Sequence, residues 1–136
     1  MVSACLLGEN CKYNGGNNKN EKIINFLEEH EVIPVCPEVL GGLPTPRVPA
    51  EIVNGVVTTK NGQIVDEEFR TGAYIGLELA RKEKIDLAIL QSRSPSCGVK
   101  QIYDGSFSDR KIAGQGVFTQ LLMQEGIAVK DSEEFV

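Results

Sequence analysis

Short apolar segments with β-strand composition alternate along this chain with segments of helical periodicity, and this alternation constrains the fold most strongly. The strand-like segments are residues 2–4, 32–35, 85–90 and 127–129. Three amphipathic segments lie between them: one from Asn20 to about His30, one that starts near Asp66 and continues through Ala80, and one that runs from Gly116 to the residue before Gly126. Strands that alternate with helices predict a mainly parallel sheet with right-handed crossovers. A chain of 136 residues is expected to form this sheet within one domain, residues 1–136.

The order of the four predicted strands follows from proline placement. Pro34 cannot donate a hydrogen bond to a neighbouring strand, so the second strand is expected at an edge of the sheet. We therefore predict the strand order 2-1-3-4, in which the first and third strands are neighbours. The expected architecture is an α/β three-layer sandwich with a mainly parallel four-stranded sheet.

The sequence predicts a different structure for each of three further segments. Residues 51–65 predict a small β-meander insertion, because Asn54-Gly55 and Asn61-Gly62 are hairpin-turn signals between β-branched runs. Residues 37–49 contain four prolines and predict a rigid irregular loop. The acidic C-terminal tail is expected to be frayed or on the surface.

Charge and hydropathy limit the partners of the protein. The net charge of −5 argues against general nucleic-acid binding, which needs positive charge facing phosphate. No apolar run approaches the length of a membrane span, and the N-terminus does not resemble a signal peptide. We expect a cytoplasmic protein, monomeric or homodimeric. Its cysteines are then expected to be reduced, and to bind metal or act chemically rather than form disulfides.

Three of the four cysteines follow predicted strands. Cys5 follows residues 2–4, Cys36 follows residues 32–35, and Cys97 follows residues 85–90 after a serine-rich loop. The carboxyl ends of parallel strands meet at one edge of a sheet, where ligands bind, so these thiols are expected to converge. Each single cysteine is equally compatible with a small buried hydrophobe.

The cysteines lie in stiff motifs rich in glycine, proline and serine. The motifs are SACLLG at residues 3–8 followed by CKYNG at 11–15, CPEVLGGLPTPR at 36–47, and SRSPSCG at 92–98. Such loops suit thiolate clusters, which need a fixed backbone close to the metal. The spacing between the cysteines matches neither zinc ribbons nor compact ferredoxin motifs.

These motifs resemble those of domain-of-unknown-function family 523, which includes a bacterial 2-thiouracil desulfidase. The resemblance extends from Val2 to Val129. It implies a [4Fe–4S] cluster held by three cysteines, with the fourth iron open to substrate sulfur. Carried over motif by motif, the ligands are Cys5, Cys36 and Cys97. The implied activity is the non-redox, iron–sulfur-dependent removal of sulfur, as hydrosulfide, from a small thiolated compound such as 2-thiouracil.

The motifs also contain candidates for catalysis and substrate binding. Glu38 is the candidate general acid/base, because the sequence Cys36-Pro37-Glu38 places it beside the cluster; a carboxylate that caps loop amides is an equal alternative. We expect further catalytic roles for Ser94 and Ser96, and substrate binding by Ser92, Arg47 and Arg93. An arginine that braces loop carbonyls is an alternative for both arginines. The Gly114-Gln115-Gly116 segment opens a predicted helix and could offer amides to an anion.

Alternative functions follow from the same residues. A non-catalytic metal- or iron–sulfur-cluster-binding module needs the same three thiols. Cys11 would close the cluster if it bound the fourth iron, but we favour a position outside it, because Cys11 lies beyond the strand end. A thiol redox protein is disfavoured, since no Cys-x-x-Cys motif opens a helix.

Overall fold

The computed structural model describes residues 1–135, which form strands and helices around one central sheet. The elements in chain order are β1 Val2–Ser3, α1 Glu21–Phe26, β2 Pro34–Val35, α2 Pro37–Leu40, β3 Ala50–Val53, β4 Val56–Thr59, α3 Asp66–Lys82, β5 Ala88–Leu90, β6 Gln101–Tyr103, β7 Lys111–Ala113, α4 Val117–Gln124 and β8 Val129–Asp131. Two short 3-10 helices, Ala4–Leu7 and Ser132–Glu134, follow β1 and β8 directly.

The central sheet has four parallel strands in the order β2-β1-β5-β8. This confirms the predicted order 2-1-3-4, and the strand with Pro34 lies at an edge as expected. The hairpin β3–β4 confirms the β-meander, which a bridge from Thr58 to Ile64 extends. A second hairpin, β6–β7, was not predicted.

The two faces of the sheet are covered by different helices, which gives the predicted three-layer arrangement. One face packs against α3 and α4, whose fully buried Phe69, Leu77 and Phe118 join Leu90 of the sheet. The other face packs Val2 and Ile89 against Ile23 of α1. Within residues 1–135, no helix is long and apolar enough to cross a membrane.

Helix α3 matches its sequence pattern closely. Three acidic residues begin it, where they complement the positive end of the helix dipole. The buried face of the helix comprises Phe69, Gly72, Ala73, Gly76, Leu77 and Ala80. Gly76 is needed there, because a Cβ atom at this position would lie 2.7 Å from the Phe118 ring.

Several other elements differ from those predicted from the sequence. Helix α1 is capped by the Asn20 side chain and ends at Phe26, whereas the amphipathic pattern extends to residue 30. Residues 37–49 are not irregular throughout, since α2 begins at Pro37. Helix α4 begins at Val117 and buries Val117, Phe118, Thr119 and Leu122. The C-terminal strand is Val129–Asp131, two residues later than predicted at its start.

Residues 131–135 correct part of the expectation for the acidic tail: Glu133 and Glu134 are on the surface as expected, whereas the two residues before them are not, and residue 136 lies outside the described residues. Asp131 and Ser132 are buried. Asp131 and Glu134 form a capping box around the terminal 3-10 helix, so local hydrogen bonds fix this segment.

Candidate active site at the carboxyl edge of the sheet

A cavity of about 570 Å³ lies where β1, β2 and β5 end. All four cysteines line it. The remaining residues predicted for the site line it as well: Glu38, Arg47, Ser92, Arg93, Ser94 and Ser96. The fold therefore brings the three sequence motifs together at one place, as the strand-end argument requires.

Each predicted thiol ligand is held by a short element that begins where a strand ends. Cys5 lies in the 3-10 helix directly after β1, and Cys36 is the residue between β2 and α2. Cys97 lies in the loop after β5 and is almost fully buried, with 4% exposure. All four cysteines are free thiols.

The loop that carries Cys97 is clamped by the N-terminus of α4. The amides of Gly116, Val117 and Phe118 donate to the carbonyls of Gly98, Pro95 and Ser96, each over 2.9 Å. The buried Thr119 hydroxyl adds a 2.9 Å hydrogen bond to the Cys97 carbonyl.

This clamp corrects the idea that residues 114–116 present amides to an anion. The first amides of α4, from Gly116 to Thr119, are already bonded to loop carbonyls. A Cβ atom on Gly116 would lie 2.4 Å from the carbonyl carbon of Ser96. Glycine is needed at position 116 because the two backbones touch, not because a ligand binds there.

The surroundings favour neutral thiols when no metal is bound. Burial raises the pKa of Cys97 to about 12, against the opposing effect of the Ser3 and Ser96 hydroxyls. Burial likewise raises the pKa of Cys11 to about 12, and the nearby Cys36 thiol contributes to the increase. Burial also raises the pKa of Cys5, which the Asn18 side chain opposes and Cys36 enhances. The thiols are thus close enough to influence one another, and a metal would have to displace their protons.

Polar groups contact the sulfur atoms directly. Asn18 Nδ2 donates to Cys5 Sγ over 3.5 Å, and Ser96 Oγ lies 3.6 Å from Cys97 Sγ. Cys36 Sγ lies 3.9 Å from the carbonyl oxygen of Cys11. Hydrogen bonds donated to sulfur, as by Asn18 and Ser96, orient metal-binding thiolates and tune the metal they hold. In the Cys36 contact the thiol itself is the donor, so this bond is lost when Cys36 is deprotonated.

Glu38 links two of the three motifs. Its Oε1 accepts a 3.0 Å hydrogen bond from Arg47 Nε, and its Oε2 accepts a 2.8 Å hydrogen bond from Ser96 Oγ. The carboxylate therefore bonds to side chains, not to loop amides as the structural alternative proposed. Its second oxygen lies beside the serine that contacts Cys97.

The serines differ in their surroundings. Ser94 Oγ accepts from the amides of Ser96 and Cys97, so it shapes the loop while lying 2.9 Å from Ser96 Oγ. The backbone amide of Ser92 donates to the buried Ser132 hydroxyl. The ordered C-terminal tail thereby supports the motif loop.

The two arginines bond mainly to the protein. Arg47 bonds to Glu38 and to three groups of neighbouring loops. Arg93, whose φ is 61°, forms an ion pair with Glu133 of the tail. Arg47 thus braces loop carbonyls, which was the alternative to substrate binding. Arg93 instead bonds to the Glu133 carboxylate.

Comparison with known proteins identifies the family of this chain. The family model described as 2-thiouracil desulfurase matches residues 1–134. The chain belongs to the 2-thiouracil desulfurase family. This confirms the resemblance drawn from the three motifs.

Two relatives of this desulfurase-family chain cover nearly its whole length. It is 40% identical over 144 residues to the uncharacterized protein YbbK of Bacillus subtilis (strain 168), covering 98% of this chain and 95% of that protein. It is 41% identical to a solved structure, the [4Fe–4S]-dependent thiouracil desulfidase TudS (DUF523Vcz). That superposition has a TM-score of 0.92 and covers 98% of this chain and 89% of the other.

Sequence reasoning missed several residues that position the site in this desulfurase-family protein. They are Asn18, Glu51, Thr119 and Ser132. Thr119 and Ser132 act through contacts with loops more than twenty residues away. Asn18 lies in a polar Asn- and Gly-rich stretch, where composition indicates only a loop. No local pattern could have identified these roles.

Proposed function

We propose that this protein is an iron–sulfur-dependent, non-redox desulfidase. It removes sulfur as hydrosulfide from a small thiolated compound such as 2-thiouracil. The observation that carries this proposal is the convergence of Cys5, Cys36 and Cys97 with the Glu38–Ser96 pair at one cavity. Membership of the 2-thiouracil desulfurase family and the likeness to TudS support it.

The donor set and the room at the cavity fit a [4Fe–4S] cluster. Cys5, Cys36 and Cys97 would hold it, and thiolates are the usual ligands of such clusters. In residues 1–135, no three His, Cys, Asp or Glu side chains are grouped as a single metal ion requires. Cys5, Cys36 and Cys97 are free thiols that line one cavity of about 570 Å³. When bound, the cluster supplies an iron without a protein ligand, which favours sulfur and polarises the carbon–sulfur bond.

The reaction replaces the sulfur of a thiocarbonyl with the oxygen of water and needs no net electron transfer. Glu38 is placed to take a proton from the attacking water at Oε2, the oxygen that Ser96 Oγ contacts over 2.8 Å. Ser96 orients this oxygen, and Ser94 holds Ser96 and the Cys97 amide in place. The proton can then accompany the departing sulfur.

The walls of the cavity suit a flat ring. Tyr13, Tyr103 and Phe107 contribute aromatic surface to it, and Ser92 and Arg93 contribute polar groups. Aromatic side chains pack well against heteroaromatic rings. A volume of about 570 Å³ also lies within the usual range for small-molecule sites.

We further propose that residues 1–136 act as one domain in the cytoplasm, as a monomer or homodimer. Free thiols and a net charge of −5 support a reducing compartment and no general nucleic-acid partner. We also expect no association with membranes. Size-exclusion chromatography with light scattering, and binding assays with RNA and vesicles, test these points.

The decisive experiment is anoxic purification followed by iron, sulfide and activity measurements. We expect about four irons per chain, as this cluster type requires, and hydrosulfide release from 2-thiouracil. Cys97→Ala should lose both iron and activity, whereas the matched control Cys11→Ala should keep the cluster. Glu38→Gln should keep the iron and lose most of the activity. Iron without hydrosulfide release would instead favour a cluster-binding module, and a colourless zinc protein would reject both.

A further inference from the structure

We infer that Arg47 is a positioning residue, which fixes the Glu38 carboxylate instead of holding substrate. The inference rests on the proposed function, because it assigns Glu38 the proton transfer. Arg47 lies at the end of the second motif and lines the cavity. An arginine that lines a cavity would ordinarily be expected to bind the substrate.

The donors of Arg47 are directed into the protein. Nε donates to Glu38 Oε1 over 3.0 Å, and Nη2 donates to the Cys11 carbonyl over 2.8 Å. Nη1 donates to the Pro44 carbonyl over 3.1 Å and to Thr45 Oγ1 over 3.0 Å. A guanidinium has five N–H donors in a fixed plane. Four hydrogen bonds to the protein leave little capacity for a ligand.

The ion pair with Glu38 is shielded from solvent. The Arg47 side chain is 8% exposed and the Glu38 side chain is 15% exposed. The backbone amide of Arg47 also donates to the Tyr13 carbonyl over 2.7 Å. Arg47 thus joins the first and second motifs at the point where Glu38 enters the cavity.

This arrangement assigns different tasks to the two oxygens of Glu38. Arg47 holds Oε1, so Oε2 is turned toward Ser96 Oγ at 2.8 Å. The terminal torsion of glutamate is broad and two-fold when nothing fixes it. Without Arg47 the carboxylate can rotate, and Oε2 no longer has a defined place beside Ser96. A displacement of about 1 Å in a catalytic group can slow a reaction about 100-fold.

Kinetics of Arg47→Gln and Arg47→Lys in the cluster-loaded protein test the inference. We expect Arg47→Gln to lower kcat for 2-thiouracil by up to about 100-fold, with KM and iron content close to wild type. Arg47→Lys should recover part of kcat, because it keeps the charge but not the planar fork. The matched control is Arg81→Gln, on the exposed surface of α3, where the arginine pairs with Glu78 and Glu125.

A double-mutant cycle separates positioning from other roles. Arg47→Gln should cause no further loss of kcat in a Glu38→Gln background, because its effect is exerted through Glu38. A raised KM with unchanged kcat would overturn the inference in favour of substrate binding. Lost iron in both Arg47 variants would overturn it in favour of bracing the Cys11 loop.

A structural readout makes the test independent of activity. We expect crystals of Arg47→Gln to show the Glu38 carboxylate rotated away from Ser96. A retained 2.8 Å contact between Glu38 Oε2 and Ser96 Oγ would overturn the inference even if the protein had no activity on 2-thiouracil. Failure of the wild-type protein to release hydrosulfide would count against the proposed function alone.

Discussion

Cys97 shows how a buried thiol makes the metal-free protein sensitive to alkaline pH. Its pKa is raised from 9.0 to about 12, mainly by burial. A folded-state pKa above the unfolded value means that the folded chain holds the proton more tightly. This contribution to stability is complete below pH 9 and is lost as the pH rises toward 12.

We therefore predict that the free energy of unfolding of the reduced, metal-free protein falls as pH increases above about 9. Replacement of Cys97 by alanine removes one of the responsible thiols and should make this decline shallower. Urea denaturation at several pH values between 7.5 and 10.5 measures both slopes. Equal slopes for the wild type and Cys97→Ala would contradict the assignment of the raised pKa to this thiol.

At the scale of elements, a backbone contact between α2 and α3 places the second motif. A Cβ atom on Gly72 would lie 1.8 Å from the Pro37 carbonyl oxygen. One on Gly41 would lie 1.9 Å from the Glu68 carbonyl oxygen. A side chain at either glycine would push the backbones of α2 and α3 apart. Helix α2 starts directly after Cys36 and carries Glu38, so this displacement would reach the site.

Gly72→Ala should therefore displace α2 and weaken the site. We expect a loss of about 1–3 kcal/mol in the free energy of unfolding, typical of overpacking, together with reduced iron content. Thr71→Ala, at the exposed neighbouring position of α3, should change stability by less than about 0.5 kcal/mol. Urea denaturation and iron analysis compare the two. Wild-type stability and iron content in Gly72→Ala would show that α2 adapts without cost.

The same elements show what the sequence could predict. The order of the parallel strands and the meeting of Cys5, Cys36 and Cys97 followed from strand-helix alternation and Pro34. Helix α2 escaped prediction because it has four residues and depends on its contact with α3. Strand β7 escaped because its three residues are all exposed, so no buried alternation marks it.

At the site, sequence could name residues but not their partners. Arg47 was recognised as part of the second motif, yet its bonds to Glu38 and to the Cys11 carbonyl depend on how two loops meet. The C-terminal tail was misjudged for the same reason. Its composition indicates an exposed acidic segment, but Asp131 and Ser132 are buried beside the loop after β5.

At the scale of the whole molecule, one carboxylate adds side-chain hydrogen bonds between the two antiparallel hairpins. Glu51 of β3 accepts hydrogen bonds from the amides of Gly105 and Phe107, over 3.0 and 3.2 Å. These amides belong to the loop between β6 and β7, where Phe107 has a left-handed backbone with φ of 55°. Tyr103 and Phe107 of this hairpin line the cavity. The carboxylate therefore holds an aromatic wall against the site from outside the cysteine motifs.

Removing this tie should loosen the wall without disturbing the thiols. We predict that Glu51→Ala increases the amide exchange of residues 105–109 by at least about tenfold, because hydrogen bonds to a charged acceptor contribute about 1.5–3 kcal/mol each. KM for 2-thiouracil should rise, while iron content and kcat remain close to wild type, since Glu38 and the cysteines lie on other elements. Glu51→Gln is the matched control: it keeps an acceptor oxygen but not the charge, so its increases in amide exchange and KM should be smaller than those of Glu51→Ala. Hydrogen exchange with mass spectrometry and steady-state kinetics measure these effects. Unchanged exchange in the loop of Glu51→Ala would mean that the hairpins hold their positions without the carboxylate.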